Sequence, residues 1–100
     1  MNLTIISTGM PVNAALENMI RDELVHIEKM FSRITGYEVA IKETDKAAKK
    51  NCEIEMRVLI PKSSFFCREQ ADTFEEALQH GIANLTHQLK RQKQERAEIW

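Results

Sequence analysis

The side chains of this 100-residue chain with the types to do chemistry are three histidines, two cysteines and a run of cations near the C-terminus. His80 and His87 stand seven apart on a helical pattern, not the four that places two histidines on one metal, and neither His26 nor any carboxylate or cysteine is spaced to join them. No metal and no cofactor are expected. Cys52 and Cys67 form no CxxC pair, and no nucleophile motif surrounds either thiol. Both sit in strand patterns and are expected to be buried thiols in a reducing compartment, so the chain is not read as an enzyme.

The cations point instead to phosphate. Lys90, Arg91, Lys93 and Arg96 gather in the last helical turns against Glu95 and Glu98, and Lys46, Lys49 and Lys50 occupy a loop of little apolar content. A basic helix end also suits the macrodipole, so charge alone leaves a solvated terminus as the other reading. The net charge of −1 makes position decisive, because polyanion affinity depends on how many phosphates are neutralised and not on total charge. Phe65 and Phe66 are aromatic enough to stack on bases, but read as ordinary strand residues of which only one can face the core. Asn2-Leu3-Thr4 and Asn84-Leu85-Thr86 match the glycosylation pattern. The opening MNLTIIST has no basic segment before an apolar run, and no stretch approaches the roughly eighteen apolar residues of a membrane span. The expectation is a cytoplasmic protein, not at a membrane, in which those matches are incidental.

The elements that must position these groups follow from periodicity. Leu3 to Ser7 is β-branched and apolar and closes on Thr8, Gly9 and Pro11, a strand and turn. Asn13 sits where an N-cap belongs, and Leu16, Ile20, Leu24, Ile27, Phe31 and Ile34 recur at steps of three and four, one face of a long helix that Gly36 breaks. Tyr37, Val39 and Ile41 alternate with Glu38, Ala40 and Lys42. Cys52, Ile54, Met56, Val58 and Ile60 alternate with Glu53, Glu55 and Arg57. Pro61 to Ser64 turns into a fourth strand at about Phe65 to Ala71. Asp72 and Thr73 with Glu75 and Glu76 then start a second helix, carried by Phe74, Ala77, Leu78, Gly81, Leu85 and Leu89 to about Gln94. That helix is roughly 30 Å long, so its basic last turns project past the core. The order β-α-β-β-β-α predicts an α+β two-layer sandwich, a four-stranded sheet with both helices on one face, like a double-stranded-RNA-binding domain in part of its order. One domain, 1–96, with a short tail, 97–100, fits the length.

In that order and spacing the chain resembles the ribosome hibernation-promoting and ribosome-associated inhibitor family, also called sigma-factor modulation proteins, in its short form. The carriers are the MNLTIIS strand, HIEKMFSRI from His26 to Ile34, DTFEEAL from Asp72 to Leu78 and QLKRQK from Gln88 to Lys93. The resemblance implies a non-catalytic translation inhibitor of resting or stressed cells. Such a protein lies in the mRNA and tRNA channel of the small ribosomal subunit and holds rRNA phosphates with Lys and Arg. It implies no small-molecule substrate.

Carried over residue by residue, the rRNA-binding set is Lys29, Arg33, Lys90, Arg91 and Lys93, with His26, Lys46, Lys49, Lys50 and His87 as additions. The family pattern has cations where this chain has Glu23, His26, Asn84 and His87. Losing about three phosphate contacts flattens the salt dependence by about 2.7 log units per decade, so RNA affinity is expected below the family's norm. Protonation of His26 and His87 in mild acid would restore part of the charge. The rival reading is a divergent paralogue that has lost rRNA affinity and acts as a protein-protein module.

Overall fold

The computed structural model describes residues 1–44, 49–97 and 100. Its elements are β1 (Leu3–Thr8), α1 (Ala14–Met30), β2 (Gly36–Glu43), β3 (Cys52–Ile60), β4 (Ser63–Ala71) and α2 (Phe74–Glu95), the order expected. The sheet runs β1-β2-β3-β4, with β1 parallel to β2 and the other pairs antiparallel. A parallel pair needs a crossover connection, and α1 supplies it.

Both helices start where the sequence puts their caps. Asn13 Oδ1 accepts from the Leu16 N–H at 2.7 Å, and Thr73 Oγ1 accepts from the Glu76 N–H at 3.1 Å. Each cap satisfies a donor that the first helical turn leaves unpaired. Between β1 and α1, the Ser7 hydroxyl donates to the Met10 carbonyl across a turn in which Gly9 adopts φ 77°, a left-handed backbone that glycine takes without steric cost.

The core lies between one sheet face and the two helices. Leu16, Ile20, Leu24 and Ile27 of α1, Ala77, Leu78, Leu85 and Leu89 of α2, and Tyr37, Val39, Ile41, Ile54, Met56 and Val58 of the sheet are buried together. The Tyr37 hydroxyl donates to the Leu24 carbonyl at 3.4 Å, tying β2 to α1. Burial first, and Glu28 second, raise its phenol well above the usual range. On the opposite sheet face, side chains pair across strands in water: Arg57 with Glu38 at 3.5 Å and Arg68 with Glu55 at 3.0 Å.

Four local expectations are corrected. Helix α1 stops at Met30, so Phe31 and Ile34 continue its apolar spacing without being helical. Phe31 is already extended (φ −134°, ψ 104°), yet it turns its ring into the core, because the chain must leave the helix to enter β2. Gly36 is the first residue of β2 and not a helix breaker; a Cβ there would lie 3.2 Å from the Asn2 carbonyl oxygen, so the glycine admits the neighbouring strand's backbone. The fourth strand begins at Ser63, which leaves Pro61 and Lys62 alone as the hairpin turn. Cys67 is buried, but Cys52, at the rim of the sheet, is only half-buried, its thiol directed to the Asp72 carbonyl at 3.5 Å.

Candidate nucleic-acid interface

The molecule measures 47 × 22 × 21 Å, and many of its exposed cations gather at one end. Topology brings them there. Helices α1 and α2 run in the same direction, tied early by Gln79 Nε2 donating to Glu23 Oε1 at 3.3 Å and late by Lys93 Nζ donating to the Met30 carbonyl at 3.4 Å. Their C-termini therefore meet at one end, beside the β3–β4 turn. Their N-termini lie at the other, beside the β2–β3 connection.

The first of these ends is basic. It collects Lys29 and Arg33 from the end of α1, Lys62 from the turn, and Lys90, Arg91, Lys93 and Arg96 from the last turns of α2, all exposed. The far end is acidic around Cys52, where Glu43, Glu75 and Asp72 add to burial, the larger cause, in raising the thiol. A net charge near zero thus conceals a basic patch at one end.

The expected phosphate contacts divide within the basic end. Leu89 is the last buried residue of α2, and Lys93 and Arg96, four and seven positions on, share its side of the helix. Lys93 is engaged: besides capping the Met30 carbonyl, its ammonium lies 5.7 Å from the centre of the Phe31 ring. Lys90, Arg91 and His87 face away from the core and border a shallow hollow with Gln94 and Glu95, and Arg91 pairs with Glu95 at 3.3 Å. Arg33 joins Lys62, Gln92, Arg96 and Trp100 around a cavity of about 490 Å³. Lys62 and Arg96 were missing from the expected set. Arg96 was legible in the basic run, whereas Lys62 belongs to a turn that no periodicity links to a helix end 30 residues later.

Elsewhere the expected residues are dispersed. His26 is exposed on α1 with Nδ1 2.9 Å from the Asp22 carbonyl oxygen. Lys49 and Lys50 are exposed at the acidic end, where the Lys50 N–H donates to Asp72 Oδ1 at 3.0 Å. The nine residues of β3 separate them from the β3–β4 turn by roughly 27 Å. Lys46 lies outside the described residues.

The positions that lack the expected cations have other partners. Glu23 accepts from Gln79. Asn84 donates to Glu69 Oε2 at 3.1 Å and accepts from Gln88 at 2.7 Å, while Gln88 also donates to the Phe66 carbonyl at 3.0 Å. These amides tie α2 to β4, the edge strand of the sheet. Among the described residues, no group of three or more His, Cys, Asp or Glu side chains is placed to hold a metal ion, and no helix is long and apolar enough to cross a membrane.

Fold and site together define a small α+β domain with one basic end. The chain superposes on a ribosomal subunit interface protein from Coxiella burnetii with a TM-score of 0.81 at 17% identity, covering 93% of this chain and 98% of that one. It superposes on the N-terminal domain of Protein Y from Thermus thermophilus with a TM-score of 0.77 at 18% identity, covering 91% and 98%. Identities this low establish the shared fold. No curated protein sequence matches the chain. Residues 3–97 match the family model described as sigma 54 modulation protein / S30EA ribosomal protein, and the chain belongs to that family.

Proposed function

We propose that this protein associates with the ribosome as a hibernation factor. In this reading it binds rRNA of the small subunit in the mRNA and tRNA channel of resting or stressed cells and so inhibits translation in the cytoplasm. The observation that carries it is the charge polarity: a fold of the S30EA family delivers both helix C-termini and the β3–β4 turn, with their cations, to one end. Inhibition of this kind is occupancy of a channel and requires no catalysis.

The contacts assigned to phosphate are Lys29, Arg33, Lys90, Arg91 and Lys93, with His26 and His87 along the same helices. Lys93 and Arg91 already have partners within the protein, so Lys29, Arg33 and Lys90 would supply most of the electrostatic term. The test is co-sedimentation with purified small subunits at low salt. The protein should pellet with them, and an Arg33→Glu, Lys90→Glu double variant, which alters only exposed side chains, should remain in the supernatant. Failure of the unaltered protein to pellet would exclude ribosome binding.

One observation favours the rival, a protein-protein module. Glu23 and Asn84 bind neighbouring elements where cations were expected, and the open sheet face exposes Ile6 at 58% and Phe66 at 41%. Retention in the supernatant together with loss of a partner on Ile6→Ser substitution would support that module.

A further inference from the structure

The cavity at the basic end has features that a solvated helix terminus does not need. Its lining brings three cations from three separate elements to one space: Arg33 after α1, Lys62 in the β3–β4 turn and Arg96 after α2. Among the described residues, no carboxylate lies within ion-pairing distance of any of the three. Trp100, Ser63 and Gln92 line the same cavity. Its volume of about 490 Å³ falls within the roughly 300–1,000 Å³ of small-molecule sites.

Two further details concern how these groups are held. Lys62 adopts φ 68° in a two-residue turn after Pro61, the position at which such a turn favours glycine. A lysine there costs backbone strain that glycine would not, yet it carries a cation to the rim of the cavity. Trp100 is anchored by an edge contact with Phe31, ring centres 5.7 Å apart, and its Nε1–H is buried with no acceptor among the described residues.

We propose that this cavity binds a purine nucleoside phosphate, with the phosphate held by Arg33, Lys62 and Arg96 and the base packed against Trp100. Three cations match a phosphate monoester of charge near −2, and guanidinium groups suit its oxygens by bidentate hydrogen bonding. The indole provides a flat apolar surface on which a base stacks. Such a group can come from a free nucleotide or from the phosphorylated end of an RNA. Arg33 also belongs to the set proposed to meet rRNA, whereas Lys62, Arg96 and Trp100 do not, so substitutions of Lys62 and Arg96 separate this site from ribosome binding.

Trp100 is the only tryptophan, so its fluorescence reports on this cavity alone. The full chain is titrated, without ribosomes, with adenosine and guanosine monophosphate, the two unphosphorylated nucleosides and inorganic phosphate. A short single-stranded RNA is added in 5′-phosphorylated and 5′-hydroxyl forms. Saturable change with the monophosphates at submillimolar concentration identifies a free-nucleotide site. Saturation with only the 5′-phosphorylated RNA identifies a terminal-nucleotide site.

Lys62→Gly, which removes the cation and relieves the turn, and Arg96→Gln should each weaken binding about ten- to a hundred-fold, the loss of one hydrogen bond to a charged group. Neither should lower the thermal unfolding midpoint. Lack of saturation with every probe, equal binding of inorganic phosphate, equal binding of 5′-hydroxyl RNA, or affinity unchanged in both variants would overturn the proposal.

Discussion

Cys67 lies beneath α2 with 4% of its surface exposed, its thiol 3.6 Å from the Gly81 carbonyl, and burial, then Glu69, push its pKa up to about 11. A thiol that keeps its proton is a poor nucleophile, which is why the strand position of this residue matters more than its reactivity. The folded pKa exceeds the unfolded value of about 8.5, so the thiol's contribution is complete below that pH and is lost as pH rises toward 11, where the unfolded chain ionises first. Urea unfolding should show stability falling between about pH 9 and 11, by about 1.4 kcal/mol per unit of pKa difference at most, with a shallower fall in Cys67→Ala. The native protein should also leave Cys67 unlabelled by a disulfide reagent at pH 8 while the half-buried Cys52 reacts. Equal labelling of both thiols would contradict the packing.

Helix α2 approaches the sheet closely at one residue. A Cβ on Gly81 would stand 2.9 Å from Met56 Sδ and 3.5 Å from Cys67 Sγ, so the helix rests on β3 and β4 only because that side chain is absent. Glycine within a helix costs roughly 1 kcal/mol relative to alanine, a cost here set against close packing. Gly81→Ala tests both effects at once, and the further loss from alanine to valine reports mainly on the packing. Valine should destabilise the fold by about 1–3 kcal/mol in urea unfolding, because its branched carbons cannot be accommodated by a shift of the Met56 thioether alone. The helical pattern placed Gly81 on the core face, but its spacing carries no trace of the sulfur atoms that make glycine necessary. The same limit applies to Phe31. Its spacing continues α1, while the demand of β2, where the Tyr37 N–H donates to the Asn2 carbonyl at 2.8 Å, ends the helix one residue before it.

For the whole molecule, the rRNA binding proposed above implies a salt dependence set by which cations meet phosphate. Each phosphate contact contributes about 0.7–0.9 to the log-log slope, so Arg33→Ala at the basic end should flatten the slope by about that amount. Lys49→Ala at the acidic end should leave the slope unaltered, although it removes the same charge. Filter binding of a small-subunit rRNA fragment from about 50 to 200 mM salt measures both, and equal effects would mean that the loop at the far end also meets RNA.

Hydrophobic periodicity by itself determined the element order, the two-layer packing and the solvated sheet face. Each of these follows from which side chains recur at intervals of two or of 3.6, and that information is local. The basic run after Leu89 was legible for the same reason. Only the tertiary structure decided which cations lie together. Arg33, Lys62 and Arg96 are distant in sequence and become neighbours because two parallel helices and an antiparallel hairpin end at the same place. It also decided that Lys93 is held by the Met30 carbonyl and that Trp100 returns to Phe31, since partners so far along the chain are selected by packing and leave no periodic signal.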